Sequence, residues 1–529
     1  AAVAYAEYTG RPGAVLVTTG PGGTNAITGV AEAWMESAPV IFISGQVRKE
    51  HLNYGQRSRG PQEIDIVPIV KPITKYATTI KRGQETPSVM TTALYCATDG
   101  RYGPVWIEVP LDVQAGETDG CIVTQVDTYY SEKRIKGKIA RSVELMKQAR
   151  HPVLLIGNGA RRSGLIEELV NRLKIPTLLT WKAIDILPED NQFYCGRPGA
   201  IASRGANFTQ QNADFLMTIG ARLDFPQIAF SPENFAPRAV KVIVDVDYKE
   251  LDKIDAEVSI HADAKQFIEE ILTQIDELPD WSSWVQQSKK WQKKYPVILP
   301  EYWKSELVNP YVLIDVLSDL CTPDDVLAPG SSGACSDMFL QVFRVKRGQR
   351  VINSPSLGAM GTGLPGSIGA CLASGGRRTI CVNGDGGFSM NIQELETVKR
   401  LNLPIKFFVL CNGTYASIVN TQKAHFGGHL VGSDPSSGLT LPDVMKVAEA
   451  YGIRSFALTN HETVSGIVGH VLSCEGPALC AVSVSDQQTV PRATSFLNKD
   501  GTMVSLPMED MAPLLPRDEF EANMLREEK

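Results

Sequence analysis

The sequence predicts an α/β protein of three doubly wound domains, each built on a parallel sheet. Short apolar runs that read as strands recur along the 529 residues, and stretches of helical periodicity separate them. Several runs end on small-residue turns, among them Gly20-Pro21-Gly22-Gly23, Gly330-Ser331-Ser332-Gly333 and Gly384-Asp385-Gly386. The length suits three domains of ordinary size, each with its own core.

Residues 1–125 read as the first domain. Ala1 to Tyr8 has the pattern of an amphipathic helix without a cap or an initiator Met, so the chain is expected to begin inside this domain. Strands are expected at 14–17, 40–44 and 105–109. A polar, charge-rich passage over 127–138 reads as a linker. The second domain, 139–275, takes strands at 153–157, 215–220 and 242–246, with a helix over 165–173. Residues 276–308, which carry the Trp- and Lys-rich run from Trp281 to Trp303, read as a connecting segment. The third domain, 309–485, takes strands over 378–383 and 405–410 with a helix over 388–401 between them. The tail, 486–529, is rich in Pro, Met and charge and is expected to wrap the surface or cover a site.

Composition narrows the function. Hydrophobic residues make up 43% and charged residues 21%, as in ordinary soluble proteins. A net charge of −7 leaves no basic footprint for nucleic acid, and no run is long and apolar enough to span a membrane. The ten cysteines include no CxxC pair and sit mostly in apolar stretches, which fits a reducing cytoplasm.

The chemistry concentrates at Gly384-Asp385-Gly386 and, twenty-six residues after Gly386, Asn412 in Cys411-Asn412-Gly413-Thr414. Each motif leaves the carboxyl end of a strand, where open α/β sheets place ligands. A carboxylate, an amide oxygen and a loop carbonyl there make a hard-oxygen site for Mg²⁺, whose other ligands are typically phosphate oxygens. Gly20 to Asn25 and Gly330 to Gly333 each follow a strand and open a helix, so their free N–H groups could meet an anion. A tight βα turn and a plain serine N-cap are the alternatives.

This pattern resembles the diphosphate motif of thiamine-diphosphate enzymes. Ala14 to Val47 and Leu357 to Pro365 extend the resemblance to acetolactate synthases over nearly the whole chain. The resemblance implies that Asp385, Asn412 and the Thr414 carbonyl hold Mg²⁺, and that thiamine diphosphate contacts Gly384, Gly386, Gly387, Tyr415 and Ala416 beside them. It assigns further cofactor contacts to Ser331, Ser332 and Gly358. Met360 would prop the cofactor in a bent shape. Gly22 and Asn25 would pack on the cofactor of a partner subunit, implying a homodimer or homotetramer. Gln62 matches an active-site glutamine, although Pro61 stands where Phe is usual. The catalytic glutamate is expected upstream of Ala1. His425, Phe426 and His429 either line the substrate mouth or form a solvated loop.

Three departures bear on the acceptor. Thr421 stands where acetolactate synthases carry Trp. Gly220-Ala221-Arg222-Leu223-Asp224-Phe225-Pro226 ends in Pro226 where the family has Arg. Gly199-Ala200-Ile201-Ala202 replaces a segment that approaches the flavin. These changes speak against FAD, while Gly220 and Arg222 keep a structural FAD or an ADP-like ligand open. The expected activity is a carboligase that decarboxylates a 2-keto acid, pyruvate first among them, and adds the C2 unit to a carbonyl acceptor. The alternatives are a simple decarboxylase, a dione hydrolase and a nucleotide-binding relative without catalysis.

Overall fold

The computed structural model describes residues 1–52, 55–118, 120, 132–331, 333–484, 490–493, 495–497 and 503–525. Three all-parallel sheets lie along the chain. The first contains β1 (Gly13–Val17), β2 (Val40–Gln46), β3 (Tyr76–Thr79) and β4 (Val105–Pro110) in the order β1-β2-β4-β3. Helix Ala2–Thr9 precedes it and stops at Gly10, which takes the left-handed conformation (φ 68°). Trp106 and Phe42 from neighbouring strands stack at 5.5 Å in its core, and the buried indole N–H donates to Ser44 Oγ at 3.0 Å.

The second sheet contains β5 (Pro152–Ile156), β6 (Thr177–Leu179), β7 (Phe215–Ile219), β8 (Val240–Asp245) and β9 (Val258–His261) in the order β6-β5-β7-β8-β9. Every residue of β5, β6 and β7 is buried, as expected for strands covered by helices on both faces. The chain leaves β5 toward β6 and returns to β7, so the switch point lies between β5 and β7.

The third sheet contains β10 (Val326–Leu327), β11 (Arg350–Val351), β12 (Thr379–Gly384), β13 (Ile405–Cys411), β14 (Arg454–Leu458) and β15 (Ala478–Ser483). Their order is β11-β10-β12-β13-β15-β14. Its switch point falls between β10 and β12. Parallel register sets Gly384 beside Leu410, so Asp385 and Asn412 emerge from adjacent strands on the same edge. A short antiparallel pair, β16 (Ser495–Leu497) and β17 (Met503–Ser505), lies in the tail.

Three expectations are corrected. Residues 132–138, expected as part of a linker, begin the helix Glu132–Gln148, whose Ile135 and Ile139 enter the central core; residues 127–131 lie outside the described residues. The Trp-rich run, expected as a connecting segment, also forms part of the central core. Helix Ser282–Lys294 packs on helix Arg204–Gln211 and buries Trp284 and Trp291 in the central core. The helix expected over 388–401 is broken into Asp385–Ser389, a 3₁₀ turn at Ile392–Glu394 and Leu395–Arg400. The break sits at Asn391, whose side-chain Nδ2 donates to Gly361 O at 2.8 Å.

The described part of the tail wraps the central unit. Met508 and Met511 are buried, Asn207 Nδ2 donates to Met508 O at 2.7 Å, and helix Arg517–Asn523 brings Asn523 Oδ1 to the Trp291 indole N–H at 2.8 Å. Trp291→Ala should therefore destabilise the fold by about 3–5 kcal/mol, the usual cost of emptying a large aromatic site. A urea titration followed by circular dichroism reads this as a lowered midpoint, whereas a solvated linker would leave the midpoint unchanged.

Candidate active site

Asp385 is the first residue after β12 and opens the helix that follows. Its carboxylate is buried and accepts three backbone N–H groups: Gly386 at 2.8 Å on one oxygen, Asn412 at 3.1 Å and Gly413 at 2.8 Å on the other. Burial pushes its carboxyl above the ordinary aspartate range, and the three N–H groups oppose that shift. Asn412 Oδ1 accepts the Thr414 N–H at 3.1 Å, which shapes the loop after β13 into a turn.

Around this carboxylate the chain packs closely. A Cβ on Gly386 would lie 2.5 Å from Tyr415 Cε1 and 3.1 Å from Met360 Cε, so only glycine fits between those two side chains. Ser331 is buried at the end of the loop after β10, and its hydroxyl donates to Ala359 O, beside Met360. The structure thus brings Ser331, Gly358, Met360, Gly386, Asp385, Asn412 and Tyr415 to one edge of the third sheet. Ser332 lies outside the described residues.

The first-domain candidates sit elsewhere in the chain. Gln62 is exposed, has a left-handed backbone (φ 63°), and its carbonyl lies over Gly20. Asn25 is exposed and lines a 290 Å³ cavity that also touches Pro329, Thr362 and Asn391. Thr421 is exposed on helix Ala416–His425, with its hydroxyl turned back to Ser417 O at 2.9 Å. His425, Phe426 and His429 are exposed just beyond it.

Sequence reasoning missed Asn383. It is buried in β12, its Oδ1 accepts the Gly384 N–H at 3.0 Å, and its Nδ2 has no partner among the described residues. A Cβ on Gly330 or Gly363 would come within 2.8 Å of this side chain, so it sits between the loop after β10 and the start of helix Gly363–Ala373. The available signal was an amide at the end of an otherwise apolar strand, immediately before Gly384. An unpaired buried donor beside a carboxylate edge suits a ligand that carries acceptor oxygens.

A second recess, of 940 Å³, opens at the ends of β5, β7 and β8 and is lined by all three units. Gly220 has φ 59°, and a Cβ there would lie 2.6 Å from Ala160 N, so the two strand-end loops touch through backbone alone. Asp245, Asp247, Arg161, Arg162 and Arg222 line its walls. Asp245 ends β8, and its Oδ1 accepts the Asp247 N–H at 2.8 Å. Burial raises its carboxyl to about 6, despite that hydrogen bond. Carboxylates at such a strand end suit ribose hydroxyls, and loop N–H groups suit phosphates.

Comparison with known proteins agrees with this geometry. Three family models match: "Thiamine pyrophosphate enzyme, N-terminal TPP binding domain" over residues 1–69, the central domain of the same enzymes over 139–271, and their "C-terminal TPP binding domain" over 331–482. The acetolactate synthase large subunit of Cyanidium caldarium is 31% identical over 505 residues, covering 92% of this chain and 84% of that protein. The chain belongs to the acetolactate-synthase-like family of thiamine-pyrophosphate enzymes. The isozyme 1 large subunit of Escherichia coli K12 is 30% identical over 492 residues, covering 92% and 85% of the two chains. A probable acetolactate synthase large subunit of Methanocaldococcus jannaschii is 30% identical over 511 residues, covering 93% and 84%. Among the described residues no helix is long and apolar enough to cross a membrane.

The raised carboxyl of Asp245 makes a pH-dependent expectation. The unfolded chain ionises near the ordinary aspartate value, whereas the folded chain holds this proton to about 6. Stability is therefore lost as pH rises from about 4 to about 6 and is level above that. Asp245→Asn should be more stable than the parent at pH 7 by about 1–3 kcal/mol, with the gain gone near pH 4. Urea midpoints measured across that pH range check the sign.

Proposed function

We propose that this enzyme is a Mg²⁺-dependent carboligase that decarboxylates a 2-keto acid, pyruvate first among them, and passes the C2 unit to a carbonyl acceptor. The observation that carries the reading is the meeting of Asp385 with the Asn412 loop on adjacent strand ends, beside the Met360–Gly386–Tyr415 contact. Asp385, Asn412 and the Thr414 carbonyl would hold the metal. The loops after β10 and β12, with Ser331 and the amide of Asn383, would hold the cofactor's diphosphate. When bound, thiamine diphosphate supplies the carbanion stabilisation that decarboxylation of a 2-keto acid needs.

The chain's own residues supply position and polarity. Asp385 brings the negative charge that a divalent cation requires, and its three N–H contacts fix the carboxylate before the metal arrives. Met360 presents an apolar surface between Gly386 and the loop from Gly358. Gly22, Asn25 and Gln62 would serve the site of a second copy, so that a homodimer or homotetramer shares its sites between subunits. The 940 Å³ recess would take FAD or an ADP-like ligand. Six of the nine described cysteines are buried, where a small apolar thiol is at home, and a reducing cytoplasm suits them.

Replacing Asp385 removes the one charged ligand from a site whose other groups are neutral. Calorimetry should show that thiamine diphosphate binding to the parent needs Mg²⁺, and that Asp385→Ala or excess chelator abolishes it. Unchanged affinity in either case refutes the metal assignment.

Acceptor choice follows from Pro226 and Thr421. Pro226 is exposed at the rim of the recess and offers no charge to a carboxylate. Loss of a charge-assisted contact is worth about 1.5–3 kcal/mol, or roughly ten- to a hundredfold in acceptor affinity. Pyruvate alone should give little acetolactate, while a bulkier aldehyde or keto-sugar acceptor should raise pyruvate consumption. Product analysis that finds rapid acetolactate synthesis, indifferent to added acceptors, overturns this specificity.

A further inference from the structure

The loop after β7 holds two aromatic side chains out of the fold. Phe225 and Phe230 are 64% and 59% exposed, yet their rings lie parallel, 7° apart in plane, with centroids 6.0 Å apart. Scattered exposed phenylalanines are ordinary surface features. A stacked pair in solvent is not, because each ring would bury more area by folding into the core.

The backbone under the pair is unusual in the same way. Leu223, Ala229 and Phe230 all have positive φ (47°, 49° and 62°), a region that bulky residues avoid and that clusters at ligand clamps. Two devices hold it. The Phe230 N–H donates to Phe225 O at 2.8 Å, which sets the two residues side by side. Leu223, Ile228 and Ala229 are buried and anchor the loop from beneath.

The loop is also tied toward the cofactor site. Arg222 donates to Ser356 Oγ at 2.6 Å, and Ser356 lies two residues before Gly358 on the segment that carries Met360. Phe225 lines the 940 Å³ recess and the exposed Pro226 follows it, so an apolar strip of the rim lies beside the Arg222–Asp224 ion pair. We propose that Phe225 and Phe230 form a platform that takes the flat apolar face of a ring-bearing carbonyl acceptor. This rests on the carboligase reading above. The stacked rings supply flat apolar contact area, and Pro226 leaves room for a neutral ring where a small keto acid would find no clamp.

The test uses the full-length enzyme with pyruvate as donor and benzaldehyde or acetaldehyde as acceptor. Phe225→Ala and Phe230→Ala should each raise the benzaldehyde KM by about tenfold, the value of one aromatic contact. The acetaldehyde KM and the pyruvate consumption without acceptor should stay at the parent's values. Phe225→Leu, which keeps an apolar side chain but no flat face, should behave like the alanine variant, and Phe230→Tyr like the parent. An unchanged benzaldehyde KM in both alanine variants overturns the platform, as does an equal rise for acetaldehyde or a parent that consumes pyruvate but ignores benzaldehyde. A lower assembly mass for the alanine variants by light scattering assigns the rings to a contact between copies and also overturns it. A parent that consumes no pyruvate with any acceptor overturns the carboligase reading and the platform with it.

Discussion

The buried ammonium of Lys182 is the point on which the arrangement of the three units turns. It lies 2.7 Å from a carboxylate oxygen of Glu7 and 3.5 Å from one of Glu36, both in the first unit, and donates to Asn353 O in the third. Burial works to strip its proton, and the carboxylates of Glu36 and Glu7 more than offset that. Glu7 is held up to about 7 by burial, against the pull of Lys182. Removing one member of such a cluster leaves an uncompensated buried charge, so its geometry is strongly specified even where its net contribution to stability is small.

A second cluster reinforces the first. Asp185, fully buried, accepts from Arg161 and from Arg350 (2.9 Å), and Arg350 reaches on to Tyr8 O and Glu7 O. Burial would raise the Asp185 carboxyl, and the two guanidinium groups hold it below its ordinary value instead. Arg161 also lines the large recess, so one set of charges fixes the domain junction and forms part of a candidate ligand wall. The site at Asp385 is organised differently. Its carboxylate meets three N–H dipoles rather than a cation, which satisfies its oxygens without neutralising their charge.

Much of the fold was legible because parallel sheets covered on both faces read as short apolar runs. Strands β2, β4, β5, β7, β8, β12 and β13 all lie within a few residues of their expected positions. Asp385 and Asn412 were legible because chemistry and topology agreed: both follow strands that pair in parallel register. What sequence hid was long-range. Trp284 and Trp291 read as part of a connecting segment because Lys and Gln surround them, and it is helix Arg204–Gln211 that makes their face a core. Asn383 was hidden for a related reason, since its role depends on loops some 20 to 50 residues away in sequence. Gln62 matched the family by motif, but its exposed, left-handed position over Gly20 is a fact of the first unit's loops.

Arg222 shows how a retained motif residue can mislead. Its presence in Gly220-Ala221-Arg222 invites a ligand-binding reading, yet its guanidinium already donates to Met35 O at 2.6 Å, Asp224 at 2.6 Å and Ser356 Oγ at 2.6 Å. Those partners span all three units, so packing alone would keep an arginine here, and lysine could not replace its fork. Pro226, four residues on, is engaged through its backbone, whose carbonyl accepts the Ala200 N–H at 2.7 Å, while its ring is exposed at the rim. Side chains bound into the domain junction are therefore held by the fold, while the exposed side chains beside them are free to vary.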